Sequence, residues 1–275
     1  PRAPAVTPMG KRRFLGRFAN DTVRLTLTNL PPHTKVNLAL DLFIVQGWDG
    51  NDPAAGPDLF SIRATSGNAT TTALQTTFRN SGFSQAYPGS YPGSEYPSWS
   101  GASEIGTLGY EWAGNQYADG VYNLSVLLEH DSNDLTLEFS GSGLEGVSTE
   151  SWGLDNVVVS TASIPPNAAP LFTAIPRSQV LRTGETAVFL TAAVPSDSTT
   201  FQWRFNGSLI EGETNRLLAV PSVAASHAGS YSVELANANG TATRTPARLA
   251  VVTAEPQSQT VNAGGTAVFK VDVAG

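Results

Sequence analysis

Residues 175–194 read IPRSQVLRTGETAVFLTAAV, and residues 255–274 read EPQSQTVNAGGTAVFKVDVA, 80 positions further along the chain (255 − 175 = 80). Proline, the pair Ser-Gln, glycine and the run Thr-Ala-Val-Phe recur in register. A period near 80 with short apolar runs is typical of tandem β-sandwich domains, and it exceeds the repeat units of solenoids and propellers. The repeat therefore predicts one sandwich domain over residues 171–252 and the start of a second, incomplete one over residues 253–275.

Three segments of the first copy carry a family resemblance. They are GETAVFL at 184–190, FQWRFNG at 201–207 and AGSYSVEL at 228–235. Together they resemble the I-set immunoglobulin family at its strands B, C and F. The resemblance implies that Trp203 is buried between two sheets. It also implies that Tyr231 closes a corner by hydrogen-bonding to backbone upstream.

The family's disulfide is absent, because the chain contains no cysteine. The resemblance places Leu190 and Val233 at the two cysteine positions, as apolar contacts on Trp203. A lost disulfide removes about 2–4 kcal/mol of stability, which this packing offsets in part. His227 stands where the family often has aspartate, and we expect one weaker local hydrogen bond there. Domains of this kind resemble spacer and adhesion repeats of bacterial extracellular proteins.

A linker separates this domain from the preceding part of the chain. The segment SIPPNAAP at 163–170 is rich in proline and alanine and shows no alternation, which is typical of a semi-rigid linker. Residues 1–13 are assigned to an N-terminal extension and residues 14–162 to a first domain. Apolar or alternating runs in that domain predict strands at Val23–Thr28, Val36–Val45, Leu124–Leu128 and Leu135–Phe139. The predicted fold class is all-β: an antiparallel jelly-roll sandwich, an immunoglobulin-like sandwich and a partial second one.

Composition agrees with short strands and tight turns, since only 14% of residues are charged and the chain has 26 glycines and 18 prolines. The net charge is −7 and the basic run is confined to Lys11-Arg12-Arg13, which excludes a nucleic-acid footprint. No apolar stretch approaches the ~18 residues of a membrane span. The chain begins at Pro1, so we expect a leader to have been removed and the protein to be extracellular or on the cell surface.

The first domain contains an acidic loop, WDGNDPAAGPD at 48–58, and ends in ESWGLDNVVV at 150–159. Calcium takes six to eight oxygen ligands, which such a loop between strands supplies. The candidate calcium ligands are Asp49, Asn51, Asp52, Asp58 and Asp155. The alternative is that the acidic residues only form Asx turns, and the spacing does not fit an EF-hand. The two motifs resemble jelly-roll modules of bacterial extracellular proteins, related in shape to carbohydrate-binding modules and concanavalin-like lectins.

Between these motifs lies YPGSYPGSEYPSW at 87–99, a small repeat of aromatic and turn residues. Proline and glycine exclude it from a central strand, so the rings are expected in a loop. Exposed aromatic faces stack on the apolar face of a sugar ring, which makes Tyr87, Tyr91, Tyr96 and Trp99 candidate glycan-binding residues. The alternative is a loop that folds over its own sandwich or packs on a neighbouring subunit.

Five Asn-x-Ser/Thr sequons are candidate glycosylation sites and would mark exposed positions: Asn20, Asn68, Asn123, Asn206 and Asn239. The three histidines, His33, His130 and His227, have no metal-ligand spacing, so neither a zinc site nor a catalytic triad is predicted. The clustered Glu-x-Asp-x-x-Glu motif of concanavalin-like glycosidases is also absent. We therefore expect a non-catalytic protein.

Three hypotheses on function follow. The first is an extracellular binding or adhesion protein that recognises a glycan, or a cell-surface or matrix protein, through its first domain, with the immunoglobulin-like repeats as spacers. The second is a structural subunit of an extracellular filament or surface layer, which self-associates through the incomplete C-terminal repeat. The third is an accessory region of a polysaccharide hydrolase.

Overall fold

A computed structural model describes residues 4–80, 82, 84–114, 118–163, 167–194 and 198–275. Over this part of the chain the regular structure is β-strand, apart from one short 3-10 turn at Ala225–His227. None of these residues forms a helix long and apolar enough to span a membrane. The predicted all-β fold class is confirmed.

The first sandwich contains ten strands: β1 Ala5–Val6, β2 Arg13–Phe18, β3 Thr22–Leu27, β4 Lys35–Gln46, β5 Leu59–Ser66, β6 Ala69–Thr77, β7 Glu104–Ile105, β8 Asp119–Glu129, β9 Leu135–Ser142 and β10 Glu150–Ala162. They form two antiparallel sheets, with orders β1-β2-β10-β4-β8-β7 and β3-β9-β5-β6. Without the two-residue strands β1 and β7, eight strands remain, and the sheet orders are β2-β10-β4-β8 and β3-β9-β5-β6. Numbered 1 to 8 along the chain, these strands give the orders 1-8-3-6 and 2-7-4-5. This order is that of an eight-stranded jelly roll.

The core lies between these two sheets and follows from the alternation of β4. Side chains on one face of β4 are fully or almost fully buried in it: Val36, Leu38, Leu40, Leu42 and Ile44. The last residues of β4 are buried on both faces, because Phe43 and Val45 join a second cluster with Phe14 on the outer side of the sheet. The end of β4 is thus held from both sides, which fixes the loop that follows it.

The second sandwich contains β11 Leu171–Ala174, β12 Gln179–Arg182, β13 Ala187–Leu190, β14 Ala192–Val194, β15 Thr200–Phe205, β16 Ser208–Leu209, β17 Leu217–Val220, β18 Gly229–Asn237, β19 Gly240–Thr243, β20 Ala247–Ala254 and β21 Asp272–Ala274. One sheet has the order β12-β20-β18-β15-β16, with β19 beside β18 and β21 beside β20. The other strands pair as β13-β17 and β11-β14. Strand β12 runs parallel to β20, while β15 and β18 form the antiparallel centre. This is the predicted immunoglobulin-like sandwich.

Trp203 is the centre of the second core, but one of its predicted neighbours is wrong. The indole is fully buried and its Nε1 donates to the backbone oxygen of Asn215 at 2.9 Å. Val233 lies in the same cluster, as expected. Leu190 is only half-buried and lies outside the cluster; Phe189 is fully buried instead, with its ring 6.2 Å from that of Trp203. Side chains alternate along β13, so a shift of one residue exchanges the inward and outward faces.

The tyrosine corner has the geometry that the family resemblance implies. The hydroxyl of Tyr231 donates to the backbone oxygen of His227 at 2.9 Å. The local hydrogen bond at His227 is present, since Nδ1 of this histidine accepts the backbone N–H of Ala224 at 3.0 Å. A ring nitrogen thus fills the acceptor role of an aspartate at this turn.

Three segments lie at the predicted domain boundaries. Ala5 pairs with Phe14 across β1 and β2, so part of the predicted N-terminal extension belongs to the first sandwich. The middle of the predicted linker, residues 164–166, lies outside the described residues. Within residues 253–275, β21 pairs antiparallel with β20, which attaches this segment to the preceding sandwich.

Candidate metal centre

The acidic loop begins where β4 ends and is closed by a buried carboxylate. Asp58 stands directly before β5 and is fully buried. Its Oδ2 accepts the backbone N–H of Asp49, and its own N–H donates to the backbone oxygen of Gly50 at 3.3 Å. The other carboxylate oxygen, Oδ1, is buried and has no hydrogen-bond partner among the described residues.

A second acidic segment reaches the same place from the other end of the domain. Glu150 is the first residue of β10 and pairs with Gln46, the last residue of β4. It is 2% exposed, and its Oε2 accepts the backbone N–H of Glu145 at 3.0 Å. The sheet register therefore brings residues 145–150 to the acidic loop.

Asp49, Glu145 and Glu150 form a compact carboxylate group. Each offers one oxygen, and these oxygens all lie within 4.8 Å of one another. Asp49 is half-buried, Glu145 is exposed and Glu150 is buried. The group therefore extends from the exposed Glu145 to the buried Glu150.

One arginine compensates part of this negative charge. Nη1 of Arg79 lies 2.9 Å from Oδ1 of Asp49 and 3.6 Å from Oδ2 of Asp52. Among the described residues, no ion pair is formed by Asp58, Glu145 or Glu150. Arg79 thus pairs with the two carboxylates of the acidic loop, Asp49 and Asp52.

The pKa values of the buried carboxyls reflect this environment. Burial raises the pKa of Asp58 to about 7, and the charges of Asp49 and Glu145 add to the effect. The pKa of Glu150 is raised to about 9, mainly by burial and then by its interactions with Glu145 and Asp58. The pKa of Asp49 is raised by burial against the opposing effect of Arg79. Asp49, Asp58 and Glu150 therefore hold their protons to higher pH than isolated carboxyl groups do.

Three of the five residues predicted as calcium ligands serve other contacts. Nδ2 of Asn51 donates to the backbone oxygen of Ser94 at 3.0 Å, and its Oδ1 accepts the hydroxyl of Thr77. Oδ1 of Asp52 accepts the N–H of Ala54 at 2.8 Å, which is the Asx turn that was the alternative interpretation.

Asp155 is the third of these residues, and the structure separates it from the acidic loop. It pairs with Asp41 in the middle of β4 and accepts the N–H of Asn156 at 2.9 Å. Five residues separate it from Glu150 on β10, which is roughly 17 Å along a strand and on the opposite face. Its assignment as a fifth ligand of the loop is therefore wrong.

Glu145 and Glu150 were not among the predicted ligands. Their positions depend on the pairing of β10 with β4, which joins residues more than 100 positions apart. The available signal was the acidic residue at the start of the ESWGLDNV motif, since the first residue of a strand lies beside the loops at that end of the sheet. No local spacing connects it with Asp49.

The aromatic repeat is less exposed than predicted. Tyr87 is almost fully buried, and its ring lies 5.0 Å from Phe78 and 5.3 Å from Tyr122. Its assignment to an exposed glycan platform is wrong, because the loop folds over its own sandwich at this point. Tyr91, Tyr96 and Trp99 are half-buried, and Trp99 packs against the first core.

A further aromatic residue lies beside the acidic group. Trp112 is 39% exposed, and its indole covers Gly47, where an added Cβ would come within 2.6 Å of Nε1. The N–H of Gly47 donates to the backbone oxygen of Thr149 at 2.8 Å. Trp112 therefore lies over the junction between the end of β4 and the segment that carries Glu150. Glycine at position 47 permits this close approach.

Two of the three histidines meet, although the sequence shows no spacing that connects them. Nε2 of His33 lies 2.7 Å from Nδ1 of His130, and the rings are stacked with centroids 5.0 Å apart. The outer nitrogens face the backbone oxygens of Pro31 and Asp134. The pair connects the loops that flank the strands at that end of the first sandwich.

The five sequons lie in different settings. Asn68, Asn206 and Asn239 are exposed in turns. Nδ2 of Asn20 donates to the backbone oxygen of Leu144 at 2.6 Å, so this amide is engaged. Asn123 lies half-buried within β8 and its amide donates to Asp41. The expected exposure is therefore wrong for Asn123, because a strand position places its side chain against a neighbouring strand.

Comparisons with known proteins give structural similarity alone. No family model matches the chain, and no curated protein matches it. Among solved structures, it is similar to the titin M4 domain at 23% identity, over 30% of this chain and 93% of that one, with a TM-score of 0.27. The tandem Ig repeats of Dlar match at 18% identity over 45% and 72%, with a TM-score of 0.29. Immunoglobulin domains 1–5 of Sidekick-1 match at 18% identity over 44% and 28%, with a TM-score of 0.29.

Proposed function

We propose that this chain is a non-catalytic extracellular binding protein that recognises carbohydrate at the loop end of its first sandwich, with the immunoglobulin-like sandwich as a spacer. The observation that carries the proposal is the position of Trp112. Its indole is partly exposed and packs closely against the backbone of Gly47. A supported indole face stacks on the apolar face of a pyranose, while polar groups at its edge bind the hydroxyls.

The carboxyls beside Trp112 favour binding over hydrolysis. A glycosidase needs two carboxyl groups that touch the scissile bond, one as acid and one as base or nucleophile. Asp58 is fully buried and Glu150 is 2% exposed, so a polysaccharide does not reach them. Glu145 is the exposed member of the group, and Asp49 is half-buried and ion-paired with Arg79, which does not provide two exposed carboxyls on either side of a scissile bond.

Binding of the purified chain to a glycan array, followed by affinity electrophoresis in soluble polysaccharides, tests the proposal. We expect retention by at least one polysaccharide, and its loss in Trp112→Ala. Tyr91→Ala is the matched control, because Tyr91 is a half-buried aromatic residue of the repeat loop. Absence of all glycan binding, or loss in Tyr91→Ala with full binding by Trp112→Ala, would overturn the site.

A second candidate function is a structural subunit that self-associates through residues 253–275. The observation that favours it is the exposure of apolar side chains in this segment: Val268 is 68% and Phe269 is 63% exposed. Strand addition by a second copy would cover them. Sedimentation velocity tests this candidate. Concentration-dependent association that Phe269→Ser abolishes supports it, and a monomer at all concentrations contradicts it.

A further inference from the structure

We propose that Asp49, Asp58, Glu145 and Glu150 bind one calcium ion between the acidic loop and the start of β10. This inference does not rest on carbohydrate binding. The site differs from the one expected from the sequence, because two of its four carboxylates come from residues 145–150. The ion would join two segments that the chain connects only through most of the first sandwich.

The spacing of the oxygens fits a single ion. Calcium–oxygen distances are about 2.3–2.6 Å, so two ligands on opposite sides of one ion lie about 4.6–5.2 Å apart. The oxygens of Asp49, Glu145 and Glu150 all lie within 4.8 Å of one another. Three carboxylates at this spacing can coordinate the same cation without a change of the backbone.

Asp58 supplies an independent observation. Its Oδ1 is fully buried and finds no hydrogen-bond partner in the part of the chain that the structure describes, while its Oδ2 accepts the N–H of Asp49. A buried carboxylate oxygen without a partner is unfavourable, because the lost hydration is not replaced. The charges of Asp49 and Glu145 act on this carboxyl, and its charge acts on Glu150. A cation within the group would supply the partner that Oδ1 lacks.

The charge balance of the group also favours a cation. Oxygens of Asp49, Glu145 and Glu150 lie together, and Asp58 is joined to Asp49 through a backbone N–H. Arg79 interacts with Asp49 and with Asp52 outside the proposed ligand set. Like charges at this distance repel, and burial strengthens the repulsion. A divalent ion would stabilise all four carboxylates in their charged form.

The ligand type indicates calcium among the common metals. All four side chains offer carboxylate oxygen, whereas zinc and copper sites use imidazole or thiolate ligands. Magnesium demands a near-ideal octahedron at about 2.0–2.1 Å, while calcium accepts irregular geometry and bidentate carboxylates. Ligands from two loops with different burial suit the more permissive ion.

The competing explanation is a carboxyl pair that shares a proton. Glu145 and Glu150 interact through their side chains, and a protonated carboxyl can donate to its neighbour. Such a pair needs no metal and would leave Oδ1 of Asp58 without a partner. The experiment must therefore measure metal binding directly.

Terbium luminescence of the full chain, stripped with EDTA, tests the proposal. Terbium substitutes for calcium and is excited through a nearby tryptophan, and Trp48 directly precedes Asp49 with its Nε1 on the backbone oxygen of Ser151 at 3.0 Å. We expect saturable emission that calcium displaces and equimolar magnesium does not. Glu150→Gln and Glu145→Gln should weaken the affinity about tenfold or more, because each removes one ligand charge.

The variants include their own controls. Glu145 is exposed, so Glu145→Gln should fold even when Glu150→Gln, at a buried position, does not. Asp155→Asn is the matched control, since Asp155 is a carboxylate on β10 outside the group, and it should bind terbium like the wild type. Trp112→Ala should retain terbium binding, which separates this site from the glycan site. Absent or unsaturable emission, unchanged affinity in folded Glu145→Gln, or equal displacement by magnesium would overturn the calcium site.

Discussion

Asp58 accepts the backbone N–H of Asp49 through one carboxylate oxygen, while its other oxygen is buried with no hydrogen-bond partner in the described ranges. The first oxygen closes the loop between β4 and β5. Buried polar atoms in proteins normally have a hydrogen-bond partner or a bound ion, which the second oxygen lacks within the described residues. The same residue thus has a structural role within the chain and, in our proposal, a ligand role towards calcium.

Asn51 distinguishes our ligand set from the one expected from the sequence. Its amide connects the acidic loop to Ser94 and Thr77. We expect Asn51→Ala to destabilise the first sandwich by about 1–3 kcal/mol, because two buried or half-buried hydrogen bonds are lost. Calcium affinity should stay within about twofold of the wild type, because no ligand charge is removed. Urea unfolding and terbium titration of the same variant check both parts, and abolished binding in a folded variant would place Asn51 among the ligands.

The core position on β13 is tested by two neighbouring alanine substitutions. Phe189→Ala should cost about 3–5 kcal/mol, because it leaves a cavity against Trp203 and Tyr231. Leu190→Ala should cost roughly 1 kcal/mol, because this side chain is only half-buried. Hydrogen exchange of peptides from β15 and β18 reports the stability of the second sandwich in the full chain. Equal costs for the two substitutions would restore Leu190 as the core residue.

The tyrosine corner offers a smaller and more specific change. Tyr231→Phe removes the hydrogen bond to the backbone oxygen of His227 and should cost about 0.5–1.5 kcal/mol. The ring remains stacked on Phe189 at 4.5 Å, so packing is preserved. His227→Asp is a useful comparison, since aspartate can accept the same N–H of Ala224 and should be nearly neutral. A neutral Tyr231→Phe would show that the corner contributes nothing to stability.

Tyr122 predicts how stability depends on alkaline pH. Burial raises its pKa, with a further contribution from Tyr87. The folded-state pKa therefore lies above the unfolded value near 10. The stabilisation is fully present below about pH 10 and is lost as the pH rises towards the folded pKa, at up to about 1.4 kcal/mol per pH unit. Tyr122→Phe should make this alkaline decrease shallower in urea unfolding series from pH 8 to pH 11, and an unchanged slope would contradict the assignment.

Strand positions were predictable where one physical pattern decides them. The apolar run Val36–Val45 became β4 at Lys35–Gln46, because a strand between two others buries most of its length. Trp203 and Tyr231 followed from the immunoglobulin resemblance, which specifies both side chains and their environment. The assignment of Leu190 failed by one residue, since an alternating strand with apolar residues on both faces does not define its own phase.

The carboxylate group was only half predictable, for a reason of topology. Asp49 and Asp58 belong to one loop, so local composition indicates them. Glu150 reaches that loop only through its register with Gln46. The same register places Asp155 beside Asp41, away from the loop. Tyr87 failed for a related reason, because a turn-rich repeat does not reveal that Phe78 and Tyr122 cover one of its rings.

A crystal of the full chain grown with calcium, and a second one soaked with terbium, test the central claim most directly. We expect one anomalous peak within about 2.3–2.6 Å of oxygens from Asp49, Asp58, Glu145 and Glu150, the calcium–oxygen range. Oδ1 of Asp58 should be one of its ligands. A saturated crystal with no peak at this position, or with an ion held by Asp155 instead, would contradict the claim.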